Sequence, residues 1–314
     1  MGLVSLAAEI FASMQRIRAI LLCVFLAGLP LMGFSAEASA PAAPAAHEEG
    51  LPAGAGEVFR IGPLPVTNSM LVTWIVALAL IIFAQIATRN MKEIPSGAQN
   101  FWEWMVESLY GFLEGIIGHA LVKKTFWFFA TIFIFIIFCN WAGLIPGIGT
   151  MGWGVKDANG HFELTDPLFR GGNADLNMTL AMSMVFFVCW TIWALQMNGP
   201  GGFIKHLFAP KGDTKGLLKV LMICVFFCVG WLEILSILFR PVSLSFRLYG
   251  NIFAGENMLE AMSHLVPGLG WLIPIPFYFM ELLVGFVQAL VFMLLTAVFT
   301  MLMAPHDDHE HAHH

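Results

Sequence analysis

Five stretches of about 20 apolar residues each, near 68–87, 125–145, 176–197, 217–239 and 277–303, are long enough to cross a hydrocarbon layer about 30 Å thick as α-helices. Lipid offers no partners to backbone N–H and C=O groups, so spanning segments must be helices or a closed barrel. Barrel strands need only about 9–11 residues, which runs of this length do not fit. Charged residues make up 11% of the 314-residue chain, against about 25% in soluble domains. A water-soluble globule of this size could not cover itself with so few. A sixth helix is expected over 242–264, after Pro241, carrying Arg247, Glu256 and Glu260. The fold class is therefore an all-α integral membrane protein of five to six hydrophobic helices. The last two form a long hairpin.

Ahead of these runs, Arg16 and Arg18 precede an apolar stretch, Pro30, and small residues at Ala36 and Ala38-Ser39-Ala40. That is the layout of a secretory signal peptide over 1–40, with Met14 a candidate start. A retained first membrane helix is the competing reading. Residues 41–65, rich in Ala, Pro and Gly, are expected to be a flexible exported segment. The membrane domain is then 66–303. Residues 304–314, which include His306, His309, His311, His313 and His314, form a solvated cytoplasmic tail rather than a metal site. The five cysteines lie in apolar stretches without a CxxC pair, which fits packing rather than a disulfide framework or zinc. No basic run points to nucleic acid, and no internal repeat is visible.

Topology follows from the basic residues. Arg89, Lys92, Lys123, Lys124, Lys205, Lys211, Lys215 and Lys219 fall on one side, and Arg60, Lys156 and Arg170 on the other. Positive charge marks the cytoplasmic side, so the mature N-terminus is expected outside and the C-terminus inside. Residues 97–122 do not span. Glu103, Glu107 and Glu114 fall within about 40° on a helical wheel, and Phe101, Trp102, Met105, Leu109, Phe112 and Leu113 occupy the rest. This is an interfacial amphipathic helix. Its acidic face suits a partner protein better than an anionic leaflet.

Ionisable residues inside spans are costly and mark function by default. Here they are Glu233, Arg247, Glu256 and Glu281, with Asn251 and Gln288 as uncharged polar companions. If 242–264 is one helix, Asn251 shares a face with Arg247, and Glu256 lies on the opposite face, about 13–14 Å along the axis. Glu233 is about 21 Å from Arg247 by the same rise. Arg247 thus lacks a partner on its own helix, and a carboxylate on another chain becomes attractive. Gly250 and Gly255 would let another helix approach. Gln288 could share the hydrogen-bonding environment of Arg247. Glu281 could meet Glu256, and two neighbouring carboxylates in low dielectric share a proton, the elements of a relay. Each Glu alone could also be a helix-end residue reaching water.

The stretch PVSLSFRLYGNIFAGE (241–256) resembles the signature of subunit a of the rotary F-type ATP synthases. NFWEWMVESL (100–109), FIFIIFCNWAGLIPG (133–147), DLNMTLAMS (175–183) and MNGPGGF (197–203) resemble further family segments in the same order, so the likeness covers roughly residues 60–303. The resemblance implies a bacterial inner-membrane protein beside a ring of subunit c, with a subunit b stalk and the remaining synthase subunits as partners. It implies two half-channels for H⁺, no catalytic site of its own and no cofactor. By the same resemblance Arg247 matches the family's essential arginine. Asn251 and Gln288 match polar residues near it, and Glu233, Glu256 and Glu281 match half-channel positions. Where relatives often pair Glu with His, this chain has Glu256 and Glu281, which should titrate as a coupled pair. A stand-alone ion channel or secondary transporter is the alternative, although a transporter would be expected to show repeated halves. A third class, a non-transporting scaffold, leaves the buried polar groups without purpose.

Overall fold

The computed structural model describes residues 54–61, 64–89, 91–156, 162–208, 217–266 and 269–303. The expected signal peptide and the His-rich tail lie outside these. Strands β1 (Glu57–Ile61) and β2 (Leu64–Thr67) pair antiparallel and lead into helix α1, Asn68–Thr88. The described end of the 41–65 segment, expected to be flexible, therefore lies in paired strands. Thr67 caps α1 by accepting from the Met70 N–H at 3.4 Å, the usual solution for an unsatisfied helix start. Val72, Val76, Leu80, Ala84 and Ala87 line the buried face of α1, while Ile75, Leu78, Ile82 and Ile86 are exposed. An isoleucine-rich exposed face belongs in lipid, not water.

The expected amphipathic helix over 97–122 is shorter. Helix α2 is Ala98–Ile117, and α3 starts at His119. Gly118 stands between them at φ +79°, a left-handed conformation that glycine adopts without a Cβ penalty. Trp102, Val106, Leu109 and Leu113 of α2 are buried, whereas Phe101, Trp104 and Phe112 face outward. Edge-on contacts of Trp102 with Phe83 (5.9 Å) and of Tyr110 with Phe126 (5.1 Å) fasten α2 to α1 and α3.

Helix α3 (His119–Gly143) is the central element, buried continuously from Phe128 to Ile137. The connection after it holds strands β3 (Gly152–Lys156) and β4 (Phe162–Pro167), paired antiparallel, where the sequence suggested only a loop. Helix α4 (Leu176–Phe208) kinks at Gly199, φ +68°. Trp193 of α4 meets Phe128 of α3 at 5.6 Å, edge to face.

The largest departure is helix α5, which runs unbroken over 48 residues, Leu217–His264, with Pro241 inside it. The expected helices 217–239 and 242–264 are one. Proline deletes a single backbone hydrogen bond, and packing retains such a helix where neighbours hold both sides. Here Ile237, Leu244 and Leu248 flank Pro241 in the core. At 1.5 Å per residue α5 is about 72 Å long, more than twice the hydrocarbon thickness of about 30 Å. An upright helix of that length would project well beyond the hydrocarbon layer. Helix α6 (Pro274–Leu302) returns beside it and completes the hairpin. Among the described residues, five of the six helices are long and apolar enough to cross a membrane.

Candidate functional site

The polar residues of α5 and α6 divide into an inward cluster and an outward stripe. The cluster gathers around Glu256. Its carboxylate Oε2 stands 3.5 Å from Nε of Arg170, with both side chains largely buried. Arg170 lies between β4 and α4, a segment counted above only for its charge. Its guanidinium also donates to the Gly54 carbonyl at 2.9 Å and covers the Phe253 ring at 5.7 Å. Glu260 and Glu281 are like-charged neighbours of Glu256.

Glycines make the close approaches possible. Glu281 of α6 is 4% exposed, and its carboxylate occupies the space where a side chain at Gly255 would lie. A methyl group on Gly171 would come within 2.7 Å of Glu256 Oε1, and one on Gly143 within 3.0 Å of the Gly171 Cα. The end of α3 and the approach to α4 thus meet backbone to backbone beside the Glu256 carboxylate of α5.

Buried amides lock this arrangement one turn away. Asn173, with no exposed surface, donates to Asn140 Oδ1 at 2.6 Å, and Asn140 donates to the Gly285 carbonyl of α6 at 2.9 Å. Trp141 adds a bond from its indole N–H to the Leu282 carbonyl at 3.2 Å. Asp175, just ahead of α4, accepts from the Asn177 N–H at 2.9 Å. Burial pushes the Asp175 carboxyl above the usual range, against the opposing pull of that N–H and of Arg170.

The outward stripe is different. Arg247 is exposed and makes no ion pair or hydrogen bond among the described residues. Asn251, Ala254, Met258 and Ala261 follow at helical spacing and are exposed too, while the space around Gly250 is open. Glu256 faces inward from the same helix. Gln288 is half-buried on α6, and Glu233 is half-buried near the start of α5.

Two arginines escaped the sequence reading as site candidates. Arg170 carries a signal only in its setting, FRGGNAD, where two small residues let backbone approach it. Arg240, immediately before Pro241, is held between rings. Its Cζ is 4.4 Å from the Phe299 centroid and 5.6 Å from that of Trp190, and the Trp190 N–H donates to the Phe299 carbonyl at 3.1 Å. Glu233, seven residues earlier, is the carboxylate that acts on it. Neither ring contact could be anticipated before the α4 and α6 packing was known.

A multi-pass helical protein with an arginine on an outer helix face that has no partner among the described residues, and a buried carboxylate cluster behind it, is built for moving charge across a membrane. A profile of the ATP synthase A chain family matches residues 70–301. Relatives include ATP synthase subunit a of Gloeobacter violaceus, 32% identical over 80% of this chain and 90% of the relative. That of Moorella thermoacetica is 30% identical over 77% and 93%. That of Trichlorobacter lovleyi is 33% identical over 74% and 85%. The chain belongs to the ATP synthase subunit a family.

Proposed function

We propose that this chain is the stator proton channel of an F-type ATP synthase, conducting H⁺ through two half-channels to and from carboxylates on a rotor ring of subunit c. The observation that carries the reading is Arg247, exposed on an apolar helix with no partner among the described residues. A cation at the centre of a membrane helix costs about 2.5–3.5 kcal/mol on insertion scales, and more in other treatments. A carboxylate passing on another subunit would compensate it. The adjacent positive charge would favour loss of the proton from that carboxylate. It would also repel hydronium and so keep the half-channels separate.

In this reading Glu256 and Glu281 form the outer access path, Glu233 the inner one, and Asn251 and Gln288 the polar surroundings of Arg247. Arg170 holds Glu256 in place. The mature N-terminus is outside and the C-terminus cytoplasmic, in the inner membrane of a bacterium. A subunit b stalk would hold the chain against the turning ring, and nucleotide chemistry would belong to other subunits.

The test is ATP synthesis and passive proton uptake in vesicles carrying the assembled complex. Arg247→Ala should reduce coupled synthesis to background and open a passive leak. Arg247→Lys should also fail, because a desolvated lysine can lose its proton whereas arginine cannot. An Arg247→Ala complex that assembles and still couples proton flow to synthesis would contradict the proposal.

A further inference from the structure

The residues ahead of α1 do more than lead into the membrane. β1 folds back on β2 with Glu57 opposite Thr67, so residues 54–56 return alongside the start of α1. There the Gly56 carbonyl accepts from the Asn68 N–H at 3.0 Å. Asn68, 1% exposed, donates its side-chain amide to the Pro167 carbonyl at the end of β4, 3.1 Å away. A bidentate pair from Arg60 to Glu57, at 2.9 and 3.1 Å, ties β1 to itself on the exposed side. These contacts deliver the Gly54 carbonyl to NH1 of buried Arg170 at 2.9 Å, across 116 residues of sequence. One guanidinium therefore joins the exported backbone to Glu256. Residues 54–67 also precede the 70–301 stretch matched by the family profile.

We propose that Gly54–Ile61, paired with Leu64–Thr67, is a strap over the outer approach to Glu256, and that its Gly54 carbonyl is a positioning group for Arg170. The proposal rests on reading Glu256 as an outer proton-access residue. A guanidinium has five donors in a fixed fork. With one arm held by a backbone carbonyl, its remaining N–H groups keep their aim at the carboxylate. Without the strap, Arg170 loses the carbonyl that fixes one arm of its fork, and its hold on Glu256 loosens.

Two measurements on the assembled synthase test this. In a background lacking the native cysteines, Glu256→Cys is labelled from outside with a membrane-impermeant thiosulfonate, with and without residues 54–61. The strap predicts labelling at least tenfold faster after the deletion, and an unchanged rate would overturn the cover. Proton-driven ATP synthesis is then compared for the deletion, for Arg170→Gln, and for both together. Action through Arg170 predicts that the double variant is no slower than the slower single one, and losses that multiply would overturn the positioning role. Three glycines inserted between Gly56 and Glu57 displace the Gly54 carbonyl while leaving both strands. They carry the same two expectations should the deletion not assemble. The labelling result does not depend on whether Glu256 conducts, so failure of the access-path reading is separable from failure of the strap.

Discussion

Arg170, Arg240 and Arg247 sit in one apolar chain and differ in what compensates them. Arg170 has a carboxylate and a carbonyl, Arg240 has two aromatic faces, and Arg247 has neither among the described residues. A guanidinium over aromatic rings gains about 0.5–2 kcal/mol, which suits a structural cation that holds α5 to α4 and α6. Removing one member of a buried ion pair costs about 3–5 kcal/mol, because the other is left uncompensated. Two carboxylates of the inward cluster, Glu256 and Glu281, give a sharper expectation. Glu256→Gln and Glu281→Gln should each slow proton-driven synthesis and shift its dependence on outside pH, since a coupled pair loses one titrating member. Rate profiles of the two variants against outside pH check this. Profiles that coincide with the parent would separate these residues from the proton path.

Between elements, the decisive contact is Glu281 of α6 against Gly255 of α5. The carboxylate fills the volume that any side chain at position 255 would need. Gly255→Ala should therefore push α6 away or swing Glu281 out of the cluster, with a loss of at least tenfold in coupled synthesis. Overpacking of this kind costs about 1–3 kcal/mol, so the complex should still assemble. Synthesis assayed beside a check of assembly tests the contact. A normal rate would mean that the carboxylate has room to spare. This contact was only partly legible in the sequence. Helical spacing separated Glu256 from Arg247, because 100° per residue holds along any straight helix. The break at Pro241 was misjudged for a physical reason. Propensity prices the lost hydrogen bond, but not the packing of Ile237, Leu244 and Leu248 that keeps α5 whole. Gly118 was passed over within the expected 97–122 helix, although one glycine at φ +79° is enough to end it.

At the scale of the whole molecule, hydrophobic run length was enough to read the fold class, since lipid leaves the backbone few alternatives. Arg170 was not legible, because its importance comes from contacts with Gly54 and Glu256, which composition and periodicity do not encode. Nor was the pairing of β1 with β2, short strands in a stretch whose Ala, Pro and Gly content resembles a linker. What the assembled fold presents is a long helix with two sides. Arg247, Asn251, Ala254 and Met258 face out, and Ile252, Gly255 and Glu256 face the other helices. The central claim is that the outward side faces a rotor carboxylate. Disulfide cross-linking in the assembled synthase tests it most directly. Single cysteines at Asn251, Ala254 and Ile252 are paired with a cysteine one helical turn from the ring carboxylate. Cross-links to the ring from positions 251 and 254, with none from 252, are the predicted result. A ring cross-link from 252 but not from 251 or 254 would contradict the account.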